Sequence, residues 1–144
     1  MLLPLRKYRE EDADILCANS TDADVQTVDW KKFAKFNGEA GPAYTYEEDD
    51  IPVFALGMRL LVKSDGKTVG WPWCILTKEA LKKKLSVFAT LKRILHVIMK
   101  NCELKEAVCE SRKGFVESQR LLEHLGFTRM DYEDDKYYYY ELGA

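Results

Sequence analysis

The sequence predicts one α/β (α+β) domain over residues 1–144. Three observations predict it. Hydrophobic residues make up 47% of the 144 and charged residues 32%, which supplies one core and leaves too little bias for disorder. Two apolar runs, "IPVFALGMRLLV" and "VGWPWCIL", flank the turn "KSDGKT" with Asp65-Gly66 at its centre, the pattern of a β-hairpin. Beyond Thr77 the period changes: Leu81, Leu85, Phe88, Leu91, Leu95 and Ile98 step by four, three, three, four and three, the spacing of an amphipathic helix.

The elements follow in chain order. "LLPLRKY" is a first strand and "EEDADILCAN" a short helix with Ile15 and Leu16 as its apolar positions. "TVDWKKFAKFN" is a second helix carrying Val28, Trp30, Phe33 and Phe36, closed by Asn37-Gly38, and "GEAGP" breaks the pattern. "AYTYEEDD" alternates as a strand and precedes the hairpin. Pro72 lacks an N–H and therefore demands an edge, a bulge or an unpaired stretch in the fourth strand. After the long helix come a short strand "LKEAVCES" and a helix "VESQRLLEHL". That helix turns Val116, Leu121, Leu122 and Leu125 inward and has Gly126 at its C′ position. "FTRMDYE" and "KYYYYEL" close the chain as strands around "DDK", placing Tyr137 and Tyr139 on one face and Tyr138 and Tyr140 on the other.

Composition narrows the function classes. A net charge of −2 and a pI near 5.8 give no global attraction to nucleic acid or anionic membrane. No apolar run approaches the roughly 18 residues of a spanning helix, and "MLLPLRKYREEDAD" turns charged too early for a signal peptide. Cys17, Cys74, Cys102 and Cys109 form no CxxC pair, and His96 and His124 stand far from a ligand pattern, so no metal site and reduced cytoplasmic thiols are expected.

The element order, the hairpin "SDGKTVGWPWCIL", the helix after it, and "SQRLLEHLGF" before a terminal hairpin together resemble the GNAT superfamily, the Gcn-related N-acetyltransferases. The resemblance covers about residues 1–142. It implies a GNAT-like fold, a mixed, mostly antiparallel sheet splayed between the fourth and fifth strands with helices on both faces, acetyl-CoA in the gap, and direct acetyl transfer to an amine. A narrower stretch, "WCILTKEALKKKLSVFATLKRILHVIMKN" followed by a strand and "LLEHLGF", is similar to small GNAT-like proteins of tailed bacteriophages, including an internal virion protein. That similarity implies a phage or prophage protein of the host cytoplasm or the virion.

The resemblance also implies a cofactor site running from Ile75 and Thr77 through the following loop, where the superfamily carries Arg/Gln-x-x-Gly-x-Gly/Ala. Here the glycine positions fall near Lys82, Lys84 and Ser86 and the basic position near Leu81, and no glycine occurs between Gly70 and Gly114. Glycine lets consecutive N–H groups converge on a phosphate without a Cβ clash. Two readings stay open. In one, Lys82, Lys83 and Lys84 substitute ammonium groups for backbone donors. In the other, "KKK" is the solvated face of an unbroken helix, capped at Thr77 with Glu79 in its first turn and Leu81 and Leu85 turned inward. The N–H groups of 82–86 are then all bonded within the helix.

Where many members place a tyrosine that protonates the departing thiolate, this chain has Leu122, which carries no proton. Ser118 occupies the small, cofactor-facing position one helical turn earlier, and Phe115 or Lys113 stands where an asparagine is often seen. Glu47, Glu48, Asp49 and Asp50 are candidates for the base only by location, an acidic hairpin turn being the commoner reading of such a run. Trp71 and Trp73 share a strand face and suit a core as well as a stacked ligand. No catalytic residue is assigned. The acceptor is an amine or the partner another protein, and the chain a monomer or homodimer. One expectation is an N-acetyltransferase; the other is a non-catalytic GNAT-fold protein acting as a structural or host-interaction factor.

Overall fold

The computed structural model describes residues 3–21, 32, 40–114 and 116–143. In order these form β1 (Arg6–Lys7), α1 (Asp12–Ala18), β2 (Ala43–Glu48), β3 (Ile51–Val62), β4 (Thr68–Leu76), α2 (Lys78–Leu81), α3 (Lys84–Asn101), β5 (Glu106–Arg112), α4 (Val116–His124), β6 (Thr128–Glu133) and β7 (Tyr137–Gly143). The strands make one seven-stranded mixed sheet in the order β1-β2-β3-β4-β5-β7-β6. The helix expected around Val28, Trp30, Phe33 and Phe36, with its Asn37-Gly38 end, lies outside the described residues apart from Lys32.

The chain forms two compact units, one of Met1–Arg59 with Trp73–Thr90 and one of Leu60–Pro72 with Leu91–Ala144. In the first, α1 buries Ala13, Leu16 and Cys17 against Tyr8, Ala43, Ala55, Trp73 and Ile75. Ile15, one of the two apolar positions expected in α1, is 40% exposed, because burial follows the 13-16-17 face. Trp73 therefore belongs to a core, edge-on to Tyr8 with ring centroids 5.3 Å apart. Its indole lies flat over Gly57, where an added Cβ would sit 2.7 Å from three ring atoms. Its Nε1 is buried without a hydrogen-bond partner.

A carboxylate network ties α1 to the sheet in the same unit. Asp12, 3% exposed, accepts two bonds of 2.8 Å from the Arg6 guanidinium, one from the Arg9 N–H and one from the Thr45 hydroxyl, both 2.9 Å. Burial pushes its carboxyl upward, and the Arg6, Arg9 and Thr45 bonds outweigh that and hold it below the ordinary carboxylate value. Arg6 Nε also lies 2.9 Å from Glu47 Oε2, an ion contact whose angle falls short of a hydrogen bond.

In the second unit β4 pairs with β5 in parallel at Gly70 and Ala107. Pro72 stands two residues beyond that pair, inside β4. The Asp65-Gly66 turn is a three-residue loop: the Lys63 N–H donates to Lys67 O, the Gly66 N–H to Lys63 O, and Gly66 takes φ +84°. β5 pairs with β7 and β7 with β6, both antiparallel, so residues 137–143 are strand and their tyrosines alternate faces. Tyr140 and Leu142 are buried together with Leu121, Leu125 and Phe127. Gly126 ends α4 at φ +100°, with its N–H on Glu123 O and the Phe127 N–H on Leu122 O, the paired closure of a Schellman motif. Val116, expected inward, is 51% exposed because it opens the helix a full turn before the buried Leu121.

Candidate cofactor site

β3 carries one residue more than β2 across the hairpin: Tyr46 faces Phe54, and Glu47 faces Pro52. Val53 is the extra residue, a bulge that turns its carbonyl toward the end of β4. There Thr77 meets it twice, with its N–H at 3.3 Å and its hydroxyl at 2.5 Å. Thr77 occupies the N-cap position of α2 in extended conformation, but its side chain makes no cap bond, because the hydroxyl is spent on Val53. On its other side the strand end is met by the residues after α1: the Thr21 N–H donates to Leu76 O at 3.0 Å, and the Lys78 N–H to Asn19 O at 3.3 Å. Ile75 is 1% exposed within the α1 core, so its side chain faces no ligand.

The segment that follows is neither an open glycine loop nor one continuous helix. α2 lasts four residues. The Lys82 and Lys83 N–H groups then bond three residues back, to Glu79 O and Ala80 O, and α3 starts afresh with the Val87 N–H on Lys83 O. The expectation that every N–H from 82 to 86 is held inside a helix thus needs correction. Those of 82 and 83 are held, whereas those of Lys84, Leu85 and Ser86 open α3, where no intrahelical acceptor exists. The break also rotates the helix out of the expected stripe. Leu81 is 36% and Leu85 85% exposed, and the buried face of α3 runs instead through Val87, Leu91, Leu95, Ile98 and Met99.

The three lysines surround this start and have local partners. Lys82 pairs with Glu79 at 2.7 Å, Lys83 with Glu48 at 2.7 Å, and Lys84 lies 5.5 Å from the Phe88 ring centre. Lys83 holds the Glu48 carboxyl below its ordinary value, and Glu48 in turn raises Lys83. Ser86 gives its carbonyl to the Thr90 hydroxyl. The acidic stretch is the tip of the β2–β3 hairpin, with Asp49 and Asp50 at φ 50° and 63°, the two left-handed positions of a tight two-residue turn. Glu47 and Glu48 are both engaged with cations, whereas Asp49 and Asp50 stand exposed at the turn. An anionic phosphate suits three N–H groups ringed by lysines. The converging backbone that glycines would give is missing.

In the second unit Ser118 and Ser111 share a hydroxyl contact of 3.1 Å. Leu122 is half-buried on α4, and nothing at its position can move a proton. Phe115 lies outside the described residues, and Lys113 is occupied with Glu133 at 3.0 Å. Of the expected positions, the structure brings Thr77, Lys82, Lys83, Lys84 and Ser86 together in one unit and leaves Ser118 in the other. The Val53 bulge and the Asn19–Thr21 contact have no local sequence signal; both follow from which strands become neighbours.

No family model matches the chain, and no curated protein matches it in sequence. Solved structures do. A GNAT-family acetyltransferase from Bacillus anthracis is similar with a TM-score of 0.70 at 15% identity, over 99% of this chain and 98% of that one. A ribosomal-protein-alanine N-acetyltransferase from Brucella melitensis gives 0.71 at 12%, over 99% and 100%. A structure from Salmonella typhimurium solved with its cofactor acetyl-CoA gives 0.65 at 14%, over 97% and 92%. The chain has the fold of the GNAT acetyltransferases.

Proposed function

We propose that the chain is an acetyl-CoA-dependent N-acetyltransferase of the direct-transfer type, with a phosphate site made largely from side chains. The observation that carries this reading is the restart of α3 at Lys84. It puts three unbonded N–H groups, the positive end of an 18-residue helix and Lys82, Lys83 and Lys84 at one point. Bound acetyl-CoA would supply an activated acyl thioester. To hold its pyrophosphate, Lys82 and Lys83 exchange Glu79 and Glu48 for phosphate, and such exposed, solvent-screened ion pairs are weak enough to be given up. Leu122 donates no proton, so a thiolate of pKa near 8.5 leaves unassisted, a loss of roughly 10²–10⁴ in rate. With Glu47 and Glu48 paired, the amine arrives neutral or gives its proton to water. Turnover should be slow and rise with pH.

The test is calorimetric titration with acetyl-CoA. Weak, salt-sensitive binding is expected, abolished in Lys82→Ala/Lys83→Ala/Lys84→Ala. No heat at millimolar ligand would remove the reading. A second reading, a non-catalytic GNAT-fold protein serving as a structural or host-interaction factor, is favoured by Leu122 and by the engagement of Leu76 O and Lys78 N–H with Thr21 and Asn19. It predicts no release of thiol with any amine.

A further inference from the structure

The terminal hairpin presents tyrosines on both faces and completes only one of them. On the inner face the Tyr138 ring carries the Arg129 guanidinium at 3.6 Å and the Lys113 ammonium at 5.1 Å. Glu133 lies 3.0 Å from Lys113 and 3.4 Å from Arg129. Ring, cation and carboxylate thus form a closed set within the chain. On the outer face the Tyr132 and Tyr139 rings pair at 5.1 Å and 42°, with Tyr132 64% exposed. Beside them the Asp134 carboxylate is fixed. Its Oδ2 accepts the Tyr139 hydroxyl at 2.7 Å, and its Oδ1 accepts the N–H groups of Lys136 and Tyr137. The same bonds hold the Asp134 carboxyl below its ordinary value and push the Tyr139 phenol up to about 12, so at neutral pH the pair is one anion and one intact phenol. A shallow depression of about 250 Å³, lined by Asp134, Asp135, Lys136 and Tyr137, adjoins them. Among the described residues no cation lies over the Tyr132 or Tyr139 ring.

We infer that this outer face is a binding site for a small alkylammonium ion, seated on the Tyr132–Tyr139 ring pair beside the Asp134 carboxylate. Like the inner set it places a carboxylate beside an aromatic face, here without a cation, and an exposed aromatic face beside a fixed anion is the usual receptor for an ammonium head group. Strand parity adds Glu110 and Glu141 to this face against Arg112, with Lys136 bordering the depression, so the balance of charge favours a cation. The site is independent of acetyl transfer.

The experiment is a titration of the whole chain followed by amide and tyrosine-ring NMR, with tetramethylammonium chloride as the probe. Sodium chloride at matched ionic strength and tert-butanol, a neutral molecule of similar shape, are the controls. Tetramethylammonium cannot be acetylated, so the result stands whether or not the chain is an enzyme. Saturable shifts at residues 132, 134 and 139 with the cation alone are expected. Tyr132→Phe should keep the affinity, and Tyr132→Ala should lower it roughly two- to fivefold, the range of one exposed cation–π contact. Tyr132 is solvent-facing, and an otherwise unchanged amide spectrum verifies the variant's fold. Equal shifts with tert-butanol or sodium chloride, absence of saturation, or an unchanged affinity in Tyr132→Ala would each overturn the inference.

Discussion

Replacing Asp12 by alanine removes the acceptor of four hydrogen bonds at once. The Arg6 guanidinium keeps Glu47 and is 19% exposed, so water and a second carboxylate soften its loss. The Thr45 hydroxyl, 0% exposed, and the Arg9 N–H have no such relief. Breaking a buried ion pair by deleting one partner costs about 3–5 kcal/mol. With Arg6 partly solvated, the low end, about 3 kcal/mol, is expected. Urea unfolding followed by tryptophan fluorescence measures it, as a lowered midpoint at unchanged slope. A loss below about 1 kcal/mol would refute the view that this network fastens α1 to the sheet. The pH dependence supplies an independent check. Because the folded carboxyl titrates below its unfolded value of about 4, its stabilisation is present above that value and is lost as pH falls through the lower, folded one. Asp12→Asn should therefore flatten the acid limb of stability below about pH 4. An identical acid limb in both proteins would contradict the assignment.

Three further outcomes follow from single contacts. Gly57→Ala drives a Cβ to 2.7 Å from the Trp73 indole and should cost about 1–3 kcal/mol, measured by thermal unfolding together with a change in tryptophan emission. Thr77→Val deletes the hydroxyl bond to Val53 O while keeping the N–H bond, for a loss of about 1 kcal/mol in urea unfolding. Leu122→Tyr places a phenol where the chain has none. If the proposed activity holds, thiol release should rise about tenfold or more while acetyl-CoA affinity stays put, and an unchanged rate would show that the missing acid is not the limit.

Local patterns carried the strand and helix order. "IPVFALGMRLLV" is a strand from its first residue to its last, because an apolar run of that length ended by Lys63 and a Gly66 turn has no competing structure. Gly126 closed α4 for the same local reason, a left-handed residue that only glycine takes cheaply. Leu81 and Leu85 misled because helical spacing is a count along the chain. It runs unchanged through the turn at 82–83, where a change of bonding partner rotates everything before it. The lysines of the candidate site were visible as a run, but their partners were not. Glu48 reaches Lys83 only because the Val53 bulge and the two left-handed aspartates aim the hairpin tip. Asp12, the best-connected side chain of its unit, looked like one acid among several in "YREEDAD". Its burial depends on Thr45, 33 positions away.

The two ends of the sheet are guarded in different ways. β1 is two residues long and offers little ladder to a stranger. β6 is longer, but Thr128, Arg129, Asp131, Tyr132 and Glu133 are exposed along it, it carries charges of both signs, and its pairing slips between Arg129 and Glu133. A second molecule laid against that edge would meet unmatched charge and a broken register, so the folded protein should resist fibrillar association. The segment with real cross-β potential, "VFALGM" at 53–58, is enclosed between β2 and β4 with every residue buried. The hazard thus belongs to the unfolded chain, and the yield of refolding should fall with protein concentration while the native state stays soluble.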